Sequence, residues 1–525
     1  MKKSMTRILI ISLFGVAFVI FILQYKPDRK KNVTPRDLEY VLHLSGSNRE
    51  ELLDVLNYYR LRSEEKYFAA KYLIGNMLEH YGIQQAVQDS MGNFIDFNFS
   101  DFHTGEYKRL QATLDSLGCH IVQIDKDYDL HHITADFLIE NIDLAFEVWD
   151  YPWCKHLSFE QFCEYILPYR CQSEPISKYR KYFKDKYNWL ADSVKNSEDV
   201  VEVAALLQKQ LQKEIAYSTD IVGLYEGFLS PEMMEEVRVG ACESIANYTV
   251  LAMRSCGIPI TYDHILYWGR TNSGHAYNSI ISKDGEYIFS LPDAPPRLHV
   301  QKPGCTRVWR NTWKFQKDGI WLYASRNEVP SEFLSRHYKD VTSKYSSTSR
   351  LNFKNKNLKK DELVYLCVFN TGDWRTIGWS NNVKNEKVQF ENVSENLLYA
   401  VMSYDDQEFK MIGDPFIFYK EDSLLILKPE LTKRTDISMT IPKSGCRPNI
   451  LGADTTLNFC FWDNGWVKQQ VLVRSTIETK TKSDGSEVQI DSYSIKVPDI
   501  PSNALYWLGG VNRLYVVENG VATRY

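Results

Sequence analysis

The sequence lacks an excess of charge of either sign. Its 62 Lys and Arg against 67 Asp and Glu leave a formal net charge of −5 over 525 residues. Bulk electrostatic attraction to nucleic acid is therefore excluded as its working principle, and no nucleic-acid partner is expected. Cysteine is sparse, ten in all, and no two stand as C-x-x-C. Zinc knuckles, thioredoxin-type redox pairs and c-type haem attachment have no support. A scaffold built on disulfides is excluded at this length. Apolar runs are short except for one, so a multi-span membrane protein is excluded. Hydrophobic residues at 44% and charged residues at 25% exclude a disordered chain. Tandem repeats are absent. Asp125, Asp127 and Asp129 alternate like the first half of a calcium loop. Leu130 stands where that loop needs glycine, and Asp136 stands where it needs Glu, so the run reads as a solvated loop. No metal and no cofactor are expected.

The one apolar run is Ile8 to Leu23, behind Lys2, Lys3 and Arg7. It is longer than an ordinary signal-peptide core and short for a span of about 20 residues. No small-x-small cleavage site and no lipoprotein cysteine follow it. The run predicts an uncleaved signal-anchor, with a cleaved signal peptide as the alternative. Either places the bulk of the chain outside the cytoplasmic membrane. The expectation is a cell-envelope protein held by a single transmembrane segment, or a secreted one if the segment is cleaved.

At roughly 150 residues per domain the length predicts about three or four domains. Residues 1–31 are the apolar segment and its basic flank. Residues 35–199 read as a helical domain. There the stretches 64–80 and 133–149 repeat apolar residues at helical spacing, Ser47 to Glu50 reads as a capping box, and Pro168 is a stop. Residues 200–335 change pattern. Helices are expected over 200–215, after Ser230-Pro231, and over 242–255, the last closed by Gly257 and Pro259. Short strands follow at 260–268, 275–282 and 286–291, with Lys283-Asp284-Gly285 as a hairpin turn. Residues 340–429 and 430–525 read as two β-sandwich units, because short strands recur about every ten residues. The fold class is α+β, multidomain.

Chemistry concentrates between Gly240 and Pro296. Cys242 follows a glycine and opens a helix, where unpaired N–H groups and the positive dipole end stabilise a thiolate or an oxyanion. His275 opens a strand downstream and is placed to act as a general base. Cys256, on the apolar side of the same helix, reads as packing, and His264 as a structural histidine. Glu243 is a first-turn carboxylate that opposes thiolate formation. Trp268 is a candidate to shape the cleft or to donate to an oxyanion. Trp374 and Trp379 offer a sugar- or peptide-binding face, or plain packing. Spacing alone does not separate a reactive pair from a buried Cys and a structural His.

The ordered residues resemble the core of the transglutaminase-like superfamily, a papain-like thiol fold. They are Gly240, Cys242, Ala246, Arg254, Gly257-Ile258-Pro259 and Gly274-His275-Ala276-Tyr277. The flanking segments Asn48 to Leu52, Glu65 to Tyr67, Ile166 to Arg170 and Pro415-Phe416 resemble large transglutaminase-domain envelope proteins of Bacteroidota. The resemblance implies Cys242 as nucleophile and His275 as its partner. It also implies an Asp about four residues after a Trp on the next strand. Here Tyr287 and Leu291 occupy those places, and Asp293 lies two residues later. Asp293 is the candidate orienting residue, with Asn278 or no residue as alternatives. The implied function is a cysteine-dependent amidohydrolase, peptidase or transferase acting on a peptide, protein or glycan-linked amide. The missing Asp motivates the alternative, a degenerate module that binds peptide or glycan.

Overall fold

The computed structural model describes residues 38–99, 102, 106–194, 197–219, 227–290, 295–298, 301–324, 329–360, 362–405, 408–442, 455–481, 487–508, 514–518 and 521–525. The apolar run from Ile8 to Leu23 lies outside them. Among the described residues no helix is long and apolar enough to cross a membrane. The longest, Ala135–Trp149 and Val200–Glu214, have 15 residues each. At 1.5 Å per residue each reaches about 22 Å, against about 30 Å of hydrocarbon. This corrects the expectation of a signal-anchor, a transmembrane segment and an envelope location tied to it.

The N-terminal part packs α1 (Leu38–Leu44), α2 (Arg49–Arg60) and α3 (Glu64–Gly75) around α6 (Ala135–Trp149) and α7 (Phe159–Tyr165). Between them lie α4 (Tyr107–Leu117) and α5 (Asp129–His132). This region is not wholly helical. Strands β1 (Tyr81–Asp89), β2 (Phe94–Ile95) and β3 (Cys119–Tyr128) form an antiparallel sheet, ordered β2-β1-β3. The expected capping box at Ser47 is absent, since Asn48 is the N-cap of α2 and makes no side-chain cap bond. A complete box stands instead at Ser158 and Gln161, opening α7. Asp127 and Asp125 lie on β3, and Asp129 opens α5. Asp129 is buried and holds the Arg170 guanidinium at 2.9 and 2.6 Å, with the Tyr169 hydroxyl at 2.9 Å. The acidic alternation is thus partly a buried ion pair.

Helices α8 (Tyr179–Lys186), α9 (Trp189–Ser193), α10 (Val200–Glu214) and α11 (Pro231–Val237) lead to α12 (Cys242–Ser255). Ser230 caps α11 by accepting from Met233 N–H, and Pro231 follows at the first helical position, as expected. Short strands β4 (Ala216–Tyr217) and β5 (Val239–Gly240) pair in parallel just before α12. Helix α12 then lies on a six-stranded sheet, ordered β11-β10-β6-β7-β8-β9. Its members are β6 (Ile260–Ile265), β7 (His275–Ser282), β8 (Gly285–Phe289), β9 (Arg297–Leu298), β10 (Val308–Asn311) and β11 (Tyr338–Asp340). One continuous apolar core runs from Val41 through α12 to Trp313, so the helical region and the sheet fold around common side chains.

Residues 348–426 form two sheets whose facing residues, among them Leu351, Phe390, Val364 and Tyr399, share one core. Two sheets packed over one core have the layering of a sandwich. Among the described residues, the strands between 430 and 524 form a single seven-stranded antiparallel sheet. The second unit is therefore not a separate two-sheet sandwich. Its Leu505, Leu514 and Val516 pack with Tyr365, Phe369 and Trp374 of the first unit, so the two β units share a core.

Candidate active site

Chain geometry delivers Cys242 to the first turn of α12. A Cβ on Gly240 would lie 3.2 Å from Ser244 and Ile245 side chains and 3.3 Å from Met234, so the chain enters close beneath the helix. The N-cap is Ala241, which has no side-chain acceptor for the first-turn N–H groups. Those groups turn to sulfur instead. The Cys242 thiol is half-buried, and burial pushes it above the ordinary range. The N–H of Ala276 acts against that shift, as do the N–H groups of Glu243 and Cys242 itself, while the Glu243 charge adds to it. Three backbone N–H groups thus favour the thiolate. Burial outweighs them, so the resting site favours the neutral thiol.

The amide of Ala276 belongs to β7, one residue after His275. Helix and strand are tied together by Asn278, which is buried. Its side-chain amide donates to the carbonyls of Ala246 at 3.1 Å and Thr261 at 3.2 Å. Asn278 is thus a brace between α12, β6 and β7. His275 is half-buried and opens β7 opposite Ile265. Its ring meets Tyr277 edge-on at 4.5 Å, with the Trp268 ring at 6.4 Å. The glycine before it is obligatory. A Cβ on Gly274 would lie 2.4 Å from the Ile265 carbonyl oxygen and 2.7 Å from that of Leu266.

A buried residue of the first β unit holds the turn that leads to His275. Asn370 donates to the carbonyls of Trp268 at 3.0 Å, Thr271 at 3.0 Å and Ser273 at 3.2 Å, and accepts from Ser273 N–H at 3.0 Å. Ser273 takes a left-handed backbone, φ 66°, within this clamp. Asn370 was not singled out from sequence, because nothing local to residue 370 announces a partner about a hundred positions earlier. A second buried cluster stiffens the far face of the sheet. Arg310 pairs with Asp263 at 2.8 and 2.7 Å and with Glu286 at 2.8 Å, and the Tyr345 hydroxyl donates to Asp263 at 2.8 Å.

Among the other sequence candidates, Trp268 stands beside His275, half-buried. Its carbonyl is in the Asn370 clamp, and no contact marks its indole as an oxyanion donor. His264 is buried on β6, its Nδ1 has no partner, and burial pushes the imidazole down to about 4. That matches a structural histidine. Cys256 is buried in the core. Trp374 is buried against Phe369, whereas Trp379 is half-buried and stands beside Tyr323. Asp293 lies outside the described residues.

The arrangement has a cysteine at an uncapped helix start, a strand amide against its sulfur, and the histidine one residue before that amide. Residues 188–290 match the model of the transglutaminase-like superfamily. The chain contains a transglutaminase-like domain. The match runs from the N-cap of α9 through β8 and includes Cys242 and His275. No curated protein matches the chain.

Proposed function

We propose that the transglutaminase-like domain carries out thiol-dependent acyl transfer on amide bonds of a peptide or protein. The observation that carries this reading is that the Ala276 N–H, next in the chain to His275, favours the Cys242 thiolate against the burial that raises the thiol. A neutral resting thiol implies general-base activation. His275 takes the thiol proton as Sγ attacks the amide carbonyl carbon. The N–H groups at the start of α12 receive the developing oxyanion. The C–N bond then breaks, and the amine leaves with the proton from His275. Water attacks the thioester, releasing the acid and restoring the thiol; an amine attacking instead gives transamidation. Hydrolysis is the favoured outcome. Asp293 remains the proposed orienting residue for His275.

Burial of the thiol favours a second reading, a degenerate module that binds its peptide or glycan without chemistry. Alkylation by iodoacetamide, resolved by cysteine, separates the two. The expected result is that Cys242 reacts at neutral pH, and that His275→Ala slows it by about 10²-fold, the lower end for a lost general base. Cys171, the other half-buried thiol among the described residues, is the internal control. Equal rates at Cys242 in wild type and His275→Ala sink the enzyme reading.

A further inference from the structure

A cavity of about 440 Å³ opens between the N-terminal helical region and the six-stranded sheet. Its wall includes Arg254, His80, Asn311, Cys171 and Tyr262. Three of these residues carry a buried polar atom without a hydrogen-bond partner: Nε of Arg254, Nε2 of His80 and Oδ1 of Asn311. Buried polar atoms ordinarily find partners, so three orphans around one cavity call for an occupant.

Arg254 differs from the other buried arginines. Arg170 is paired with Asp129, and Arg310 with Asp263 and Glu286. Arg180 is enclosed by the Asn141 side chain and the carbonyls of Arg254, Ile166, Leu167 and Pro168. Arg254 is only 6% exposed and gives one hydrogen bond, from Nη1 to the Arg170 carbonyl at 3.1 Å. Among the described residues no carboxylate lies within ion-pair distance of it. Glu164, whose charge reaches it, is itself committed to the Tyr72 hydroxyl and the N–H groups of Trp313 and Lys314. The Nη1 bond leaves the Nε–Nη2 edge, the fork that matches a carboxylate.

Asn311 donates to the Cys171 carbonyl at 3.3 Å. Consecutive carbonyls, those of Arg170 and Cys171, thus hold Arg254 and Asn311 side by side. One presents an orphan donor and the other an orphan acceptor. A ligand that answers both carries a carboxylate with an N–H close by. The carboxyl-terminal residue of a peptide has that pair of groups. Tyr262, on β6 opposite Asn278, extends the wall toward the first turns of α12. We propose that this cavity recognises the carboxyl terminus of a peptide, Arg254 holding the carboxylate and Asn311 its adjacent N–H. Naming that peptide as the substrate of Cys242 rests on the acyl-transfer reading; the binding site does not.

The test is calorimetric titration of the full chain carrying Cys242→Ala, which prevents turnover. The probes are an N-acetylated tetra-alanine with a free carboxylate and its C-terminal carboxamide. The acid is expected to bind at least about tenfold more tightly than the amide, a difference of 1.4 kcal/mol. Arg254→Gln should remove the preference, and Arg254→Lys should keep part of it. Asn311→Asp is nearly isosteric and sets a like charge against the ligand, so it should abolish the preference even if Arg254→Gln unfolds. Equal binding of the two probes, or none at millimolar concentration, overturns the proposal and leaves ordered water as the occupant. A preference unchanged in Asn311→Asp overturns it as well. The His275 dependence of Cys242 alkylation, measured separately in the unmodified chain, decides the acyl-transfer reading whichever way the titration falls.

Discussion

At Ala241 the chain gives up a helix cap that Ser, Thr, Asp or Asn would have supplied. Such a loss costs about 1 kcal/mol. The compensation is chemical, because the first-turn N–H groups act on the Cys242 sulfur instead of on a side-chain oxygen. Ala241→Ser should therefore raise stability by about 1 kcal/mol and slow Cys242 alkylation, since the new hydroxyl competes for those donors. Thermal unfolding and per-cysteine alkylation on the same variant check both signs. A variant that is more stable and equally reactive would show that those amides do not support the thiol. The local part of this site was legible in the sequence. Gly240, Cys242, Gly257-Ile258-Pro259 and Gly274-His275 each state a backbone requirement within a few residues. The raised thiol was not legible, because desolvation depends on what packs around residue 242 in three dimensions.

Elements meet at this site through side chains that bridge long stretches of sequence. Asn278 joins α12 to two strands, and Asn370 joins the first β unit to the turn before β7. Asn370→Ala removes two amide N–H groups shared among three carbonyls, and two accepted bonds, from the Ser273 N–H and the Thr371 hydroxyl, at a fully buried position. At about 1 kcal/mol for each typical bond the expected loss is about 3–4 kcal/mol. Amide exchange should rise over residues 268–273 before it rises in α12, and the His275-dependent part of Cys242 alkylation should fall. Uniform exchange across the domain would instead mean plain global destabilisation. Helices with strong 3.6-residue periodicity were readable, as over 133–149. The sheet of β1, β2 and β3 was not, since the polar-rich stretch YGIQQAVQD alternates weakly and owes its pairing to β3, thirty residues on. The single seven-stranded sheet at the C-terminus was misread for a related reason. Strand spacing reports turns, and it does not report which strands share a sheet.

For the molecule as a whole, acid stability is set by histidines sealed inside it. His264 and His337 are buried, and burial holds each down to about 4; His80 is held low as well. In the unfolded chain the same residues titrate near 6.5. Below that pH the unfolded state takes up protons that the folded state refuses. Their full contribution is thus present above about pH 6.5 and is lost as the pH falls toward 4. The loss approaches about 3 kcal/mol for each of His264 and His337. Urea unfolding at steps between pH 7.5 and 4 should show stability falling already above pH 5, before ordinary carboxylates titrate. A flat profile down to pH 5 would contradict it. The Asn370 clamp has a further bearing on how this chain can be divided. Residues 188–290 match a family model, yet the turn that presents His275 is held from residue 370. A fragment cut to the matched segment would keep the cysteine, the histidine and the helix, and would lose the anchor of the turn between them. The functional unit is therefore longer than the recognisable one, and its boundary runs through the β-sandwich.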